Sequence, residues 1–325
     1  MSIASLPHLE TLGWSSFFGD QVADDEAMLF PARVDAVHRG RLTALTPAGQ
    51  VDIVLPARSD TGEYAVGDWV LAEAATRVLH RRLHRKSILQ RPGEGRRPIQ
   101  LVAANIDTLF IVSSCNADFN VARLERYLAL ANDAGTDPVI VLTKADVADD
   151  AADFERQAAA LQRELPVVTL NARSPAAAAA LDPWCSAGST VALVGSSGVG
   201  KSTLVNALVG IERTQPQQQT GSVRESDSKG RHVTTSRSLH AMAGGGWVVD
   251  TPGMRSLRVK DVTQGIDTLF AEITELAPAC KFRNCTHDHE PGCAVLAAVA
   301  AGTVDPERLA RWKKLQAESH HGSRG

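Results

Sequence analysis

Apolar positions along this chain change their period twice. From Phe30 to about Leu89 they fall in short segments, Arg33–His38, Arg41–Leu45, Gln50–Leu55 and Trp69–Ala74, that alternate or run apolar. Thr46-Pro47-Ala48-Gly49, Ser59-Asp60-Thr61-Gly62 and Gly67-Asp68 punctuate them. About five strands in roughly 60 residues predict a small all-β barrel, with an oligonucleotide-binding (OB) fold the first choice and an SH3-like barrel the second. Arg91-Pro92-Gly93-Glu94-Gly95 reads as a linker. Ahead of the barrel, residues 1–30 read as an irregular leader, whose Trp14, Phe17 and Phe18 suit packing on a domain or on a partner.

From about Gln100 the pattern becomes alternating strand and helix. Thr108–Ser113 and Pro138–Thr143 are the short apolar runs of buried parallel strands, and Val121–Ala131 between them has helical spacing. Val167–Asn171, Thr190–Val194 and Gly246–Asp250 are further strands. The alternation predicts an α/β unit, a parallel sheet with helices on both faces. Residues 173–181 are alanine-rich and fit helix or spacer. After about Val262 the chain reads as helical again, interrupted by a Cys/His segment, and frays from His320 to Gly325. The expected organisation is multidomain: leader 1–30, barrel 31–98, α/β unit 99–258 and a small helical metal-binding unit 259–325.

Composition changes this picture little. The chain has 325 residues, 44% of them hydrophobic, and a net charge of -3, which suits two or three globular domains. No stretch approaches the roughly 20 apolar residues of a membrane helix. Met1 to Asp20 carries no basic region followed by an apolar run, so it does not read as a secretory signal. The five cysteines are an odd number, and three cluster beside histidines, which favours metal over disulfides. The expectation is a cytoplasmic protein. Charge is unevenly spread. Arg77, Arg81, Arg82, Arg85, Lys86, Arg91, Arg96 and Arg97 face only Glu94 between Arg77 and Arg97. Such a run is either a solvated face or a patch for phosphate backbone.

The chemistry enters with four motifs. Gly195, Ser196, Ser197, Gly198, Val199, Gly200, Lys201 and Ser202, followed by Thr203, lie between a strand and a helix start, the context of a phosphate loop. Backbone N–H groups there curl around phosphate oxygens, Lys201 reaches the β- and γ-phosphates, and Ser202 offers its hydroxyl to Mg²⁺. Thr143-Lys144-Ala145-Asp146 closes a strand. The Asp146 carboxylate can accept N1–H and the 2-amino group of guanine, which adenine cannot offer, so GTP is expected over ATP. Lys144 would lie along the base, and Asn171-Ala172 fits the turn whose backbone N–H meets guanine O6. Asp250-Thr251-Pro252-Gly253 ends another strand, with Asp250 expected near Mg²⁺ and the Gly253 N–H at the γ-phosphate.

The residue after Gly253 is Met254, which cannot orient water. His232, in Gly230-Arg231-His232-Val233-Thr234-Thr235, is the candidate catalytic group, since an imidazole can position water or act as base. Thr234, or else Thr235, is expected on Mg²⁺. Arg231 is an alternative for transition-state charge. The base-reading motif precedes the phosphate loop, the reverse of ordinary small GTPases, so the chain reads as a circularly permuted GTPase. Finally, Cys280-x4-Cys285-x-His287-x5-Cys293 offers three thiolates and one imidazole for a closed structural Zn²⁺ site, with His289 competing for the imidazole role. Lys281, Arg283, Arg308, Arg311, Lys313 and Lys314 are candidates to face nucleic acid.

Together these motifs resemble the ribosome small-subunit-dependent GTPase A (RsgA/YjeQ) family over nearly the whole chain. The resemblance rests on Gly195–Ser202, Gly230–Thr235, Asp250–Gly253 and Cys280, Cys285, His287 and Cys293. It implies a GTPase that binds the small ribosomal subunit and its 16S rRNA late in maturation, hydrolyses GTP weakly alone and faster on the subunit, and uses the histidine matching His232. Nothing in the motifs demands more than a monomer. Val233 stands where the family usually has a threonine. Thr143 replaces the usual asparagine of the guanine motif, a variation the family tolerates.

Overall fold

The computed structural model describes residues 8–92, 99–210, 238–250 and 262–321. Its first sheet has five antiparallel strands, β1 (Leu29–His38), β2 (Arg41–Thr46), β3 (Gly49–Val54), β4 (Trp69–Glu73) and β5 (Leu79–Arg82), in the order β3-β2-β1-β4-β5. Alternation places Ala32, Val34, Leu42, Ala44, Ile53, Val70, Ala72 and Leu79 on one buried face. The two edges meet where Val54 N–H donates to Arg77 O at 2.9 Å, beside a Val54–Val78 bridge, so the sheet curls into a closed OB-like barrel.

The described part of the leader packs on the barrel, as its aromatics suggested. Leu9, Leu12, Trp14 and Phe18, the last on the short helix α1 (Ser16–Gly19), bury against Trp69, Leu71 and Leu83 of the barrel. Trp14 meets Trp69 edge-on at 4.9 Å. Phe17 stays exposed. The expected linker begins as strand: β6 (Ile88–Pro92) pairs with β7 (Ile99–Ala104), Arg91 opposite Gln100.

The second sheet has the order β10-β9-β8-β11-β13-β12. β8 (Thr108–Ser114), β9 (Asp137–Thr143), β10 (Val167–Thr169), β11 (Thr190–Gly195) and β13 (Trp247–Asp250) are parallel. β12 (Ser238–Ala241) is an antiparallel edge strand on β13. Central β8 and β11 are buried along their whole length, as continuous apolar runs require. Helix α2 (Val121–Ala134), N-capped by the Asn120 side chain, α3 (Ala151–Ala159) and the C-terminal helices cover one face. Helix α4 (Lys201–Val209) and a 3₁₀ segment, Ala179–Trp184, cover the other. The alanine-rich stretch is therefore turns running into 3₁₀, not α-helix.

The C-terminal region contains α5 (Thr263–Leu269), α6 (Ala271–Thr274), α7 (Ala294–Ala300) and α8 (Pro306–His321). Its apolar residues Ile266, Phe270, Val295 and Leu309 share one core with Leu124 and Leu128 of α2. A Cβ on Gly265 would come within 2.0 Å of Ala129 O, so α5 can lie this close to α2 only with glycine there. At the other end of the sheet, fully buried Arg33 of β1 donates to Leu12 O at 2.6 Å and Thr190 Oγ1 at 2.7 Å, tying barrel and leader to the start of β11. Among the described residues no helix is long and apolar enough to cross a membrane.

Candidate functional site

The phosphate loop joins β11 to α4. Gly195 ends β11 at φ 142°, and a Cβ there would sit 2.1 Å from Val112 O on β8, so the loop can leave the strand this way only through glycine. Gly198 and Gly200 also adopt positive φ. Lys201 Nζ donates to Gly195 O at 2.8 Å and Ser196 O at 2.5 Å, which holds the ammonium within the loop. Ser202 lies exposed in the first turn of α4, next to Thr203. The Val199 side chain is fully buried with Leu204 and Ala172, so it anchors the loop and only its backbone faces outward chemistry.

The Thr143–Asp146 turn meets this loop. Thr143 closes β9, fully buried, and its single hydroxyl hydrogen is shared between Val199 O at 2.6 Å and Ser113 O at 3.1 Å. A Cβ on Gly200 would lie 3.5 Å from Ala172 Cβ and 3.6 Å from Thr143 Cγ2. Three segments far apart in sequence therefore converge at the carboxyl ends of the parallel strands, where ligands bind in such sheets. Lys144 takes the left-handed conformation, φ 59°, and the chain then turns through a 3₁₀ segment that leaves Asp146 exposed. Asn171 lies beyond β10 rather than in it. Its side chain accepts from Arg173 N–H at 2.8 Å, forming the tight turn that carries Ala172.

Asp250 is the last residue of β13, the neighbour of β11, and pairs with Ser238. That backbone position is at the same end of the sheet as Ser202. A hydroxyl and a carboxylate are the hard oxygen ligands that Mg²⁺ takes. His232, Thr234, Thr235, Arg231 and Gly253 lie outside the described residues.

The metal motif closes on itself. Ligand atoms of Cys280, Cys285, His287 and Cys293 all lie within 4.8 Å of one another, and His289 is not among them. Cys280 Sγ is 3.8 Å from Cys293 Sγ, and His287 Nδ1 is 3.5 Å and 3.3 Å from these two sulfurs. A tetrahedral ion with metal–sulfur bonds of about 2.3 Å and a metal–nitrogen bond of about 2.0 Å spaces sulfurs about 3.8 Å apart and sulfur from nitrogen about 3.5 Å. The donor set fits such an ion. Leu296 N–H, at the start of α7, donates to Cys293 Sγ at 3.3 Å. Burial holds the His287 imidazole below its ordinary pKa, which favours the neutral, ligating form.

Glu290 is the residue that sequence reasoning missed here. It accepts from Thr286 N–H at 2.6 Å, Thr286 Oγ1 at 2.5 Å, Asp288 N–H at 3.0 Å and His289 N–H at 3.2 Å, folding the loop that presents His287. Those donors, the Thr286 hydroxyl foremost, hold its carboxyl well below the usual range. The available signal was a pair of acids, Asp288 and Glu290, inside a Cys/His segment.

Several basic candidates are used internally. Arg308 is buried, donating to Glu272 at 2.7 Å, Glu125 at 3.1 Å, Leu161 O at 2.7 Å and Leu269 O at 2.9 Å. Arg311 also donates to Glu125, at 2.9 Å, and Lys313 donates to His287 O at 2.7 Å and to Asp288. These three lock the C-terminal helices rather than face a polyanion. Lys281, Arg283 and Lys314 are exposed. In the basic run, Arg81 grips Glu26 and Arg85 grips buried Asp68, each through two nitrogens. Two of its charges are therefore paired with carboxylates of the leader and the barrel.

A family model described as RsgA GTPase matches residues 82–260. A small ribosomal subunit biogenesis GTPase RsgA of Mesorhizobium japonicum is 66% identical over 320 residues, covering 98% of this chain and 92% of its own. Among solved structures, YjeQ from Thermotoga maritima superposes with a TM-score of 0.65 at 26% identity, over 89% of this chain and 97% of that one. YloQ, described as a circularly permuted GTPase, gives 0.64 at 25% identity, over 92% and 98%.

Proposed function

Since the chain belongs to the RsgA GTPase family and is a GTP hydrolase, we propose that it turns over GTP on the small ribosomal subunit, late in that subunit's biogenesis, with 16S rRNA as the surface it touches. The near-full-length relative named for small-subunit biogenesis supports the partner. The observation that carries the nucleotide half is the meeting of Thr143, Ala172 and Gly200 at one point, which joins base reading to phosphate binding. We place the protein in the cytoplasm, where it works as a monomer.

In this reading Asp146 takes the guanine edge, Lys144 lies along the base, and a backbone N–H of the Asn171-Ala172 turn meets O6. The loop Gly195–Gly200 cradles the phosphates, with Lys201 leaving its loop carbonyls for the β- and γ-oxygens. Ser202, Thr234 and Asp250 would hold Mg²⁺, which when bound neutralises charge on the transferring phosphoryl group. The Gly253 N–H braces the γ-phosphate. His232 positions or deprotonates the attacking water, the role Met254 cannot take. Cys280, Cys285, His287 and Cys293 would hold one structural Zn²⁺ that fixes the loop bearing Lys281 and Arg283. Those two side chains, with Lys314, remain available to RNA phosphates.

The test is GTP hydrolysis by the full chain with and without purified small subunits, with ATP as control and His232→Ala in parallel. Stimulation restricted to GTP, and lost in His232→Ala, is the expected result. Absence of stimulation removes the ribosomal partner, and normal turnover in His232→Ala removes the catalytic assignment.

A further inference from the structure

Three of the four metal ligands are placed by ordinary backbone structure. Cys280 follows the 3₁₀ turn Ala277–Ala279, and Cys293 stands immediately ahead of α7. Lys281 N–H donates to Gly292 O at 3.0 Å, which ties these two segments together one residue from each thiol. Cys285 N–H closes a turn on Phe282 O at 3.2 Å. His287 is held differently. Its φ is 57°, in the left-handed region, which costs a non-glycine residue about 1–2 kcal/mol. It lies outside any helix or strand, so other contacts must hold it in that conformation.

The chief of these contacts come from Glu290. Its Oε1 accepts from the N–H and hydroxyl of Thr286, the residue before His287. Its Oε2 accepts from the N–H groups of Asp288 and His289, the two residues after it. One carboxylate thus straddles the ligand and fixes the backbone on both sides. Glu290 O also accepts from Cys293 N–H at 3.3 Å, so the same residue joins the histidine turn to the next ligand. Helix α8 adds a second hold. Lys313 Nζ donates to His287 O at 2.7 Å, and the Trp312 ring centre lies 5.6 Å from that of the imidazole. These hydrogen bonds leave Nδ1 to face the thiols of Cys280 and Cys293.

We infer that Glu290 is a positioning residue for the metal: its carboxylate shapes the Thr286–His289 turn and so aims His287 Nδ1 at the three thiolates. The inference rests on the reading of Cys280, Cys285, His287 and Cys293 as a Zn²⁺ site. Groups that orient a ligand contribute about tenfold to a hundredfold in metal affinity. Both oxygens are needed. Glutamine offers one oxygen and turns an NH₂ group toward N–H donors, so one flank of His287 is released. Alanine releases both.

The experiment is zinc affinity of the full chain, measured by competition with a chromophoric chelator. It compares wild type, Glu290→Ala, Glu290→Gln, His287→Ala and the double variant His287→Ala with Glu290→Ala. Glu290→Ala is expected to bind zinc about tenfold or more weakly, with Glu290→Gln between it and wild type. In the His287→Ala background, where three thiolates remain, adding Glu290→Ala should change affinity by less than about twofold. Wild-type affinity in Glu290→Ala overturns the inference and leaves the zinc site standing. An equal loss in both backgrounds also overturns it, because the carboxylate would then not act through His287. A wild type that binds no zinc overturns the site reading, and the inference with it.

Discussion

The hydroxyl of Thr143 lies 2.6 Å from the carbonyl oxygen of Val199, 56 positions later in the chain. It is a buried bond from the turn proposed to read the base to the loop proposed to hold the phosphates. Thr143→Val keeps the shape and removes the donor, leaving the Val199 and Ser113 carbonyls short of a partner. The cost of such a loss is about 1–3 kcal/mol. Affinity for fluorescent mant-GDP should fall roughly tenfold, the equivalent of about 1.4 kcal/mol. An unchanged Kd would remove this bond from the account of binding.

In the proposed reading base choice depends on Asp146, which is exposed at the turn after β9. Asp146→Asn replaces an acceptor with a group that also donates. It should weaken GTP by about a hundredfold or more and favour XTP, whose 2-oxo group accepts that donor. Competition between the two nucleotides measures this. Unaltered preference for GTP would mean the base is read elsewhere.

Arg308 and Glu125 form a buried pair at 3.1 Å between α8 and α2. The guanidinium also lies 4.3 Å over the Phe270 ring. Removing one partner of a buried pair strands the other and costs about 3–5 kcal/mol. Arg308→Ala should lose that much in urea denaturation, and Arg308→Lys an intermediate amount, because lysine cannot bridge two carboxylates and two carbonyls at once. A loss below about 1 kcal/mol would show that the seam rests on its apolar contacts.

Glu26 has its pKa lowered from about 4.5 to about 2, chiefly by the Arg81 hydrogen bond, against an opposing effect of burial. A depressed carboxylate contributes stability that is fully present above its unfolded value and is lost as pH falls through its folded one. The contribution should therefore be whole above about 4.5 and fade toward about 2. Glu26→Gln lacks it at every pH. Thermal midpoints of the two proteins, followed by tryptophan fluorescence of the Trp14–Trp69 pair, should differ at pH 7 and converge near pH 2. A constant gap would mean the lost contact is not ionic.

Metal analysis should find one zinc per chain. Cys293→Ser and His287→Ala should lose it, while His289→Ala keeps it, since the His289 imidazole stands outside the cluster. Loss of zinc in His289→Ala would reassign the fourth ligand.

Much of this architecture could be read before any coordinates. Buried parallel strands such as Asp137–Thr143 and Thr190–Gly195 are apolar runs, and the Thr143–Asp146 turn and the Gly195–Ser202 loop lie where these two runs end. The cysteine cluster was legible because its ligands fall within one short stretch. What sequence did not disclose were partners. Arg308 meets Glu125, 183 positions away, and Arg81 meets Glu26, 55 away, so neither could be told from a solvated charge. Strand β12 was invisible because four residues, Ser-Leu-His-Ala, carry too little pattern to declare an edge. The leader was legible as an irregular segment with aromatics suited to packing, and Trp14 and Phe18, with Leu9, do bury against the barrel, but their irregular spacing could not name Trp69 as the residue they meet.

The order of strands also has a consequence for synthesis. β8 lies between β9 and β11. β9 and β10 emerge from the ribosome soon after β8, but β11 is not made until residues 190–195. Until then one side of β8 presents unpaired N–H and C=O groups, the template on which strands add wrongly. A chain growing from its N-terminus thus completes the half proposed to recognise the base first, and holds an open seam that β11 must later fill.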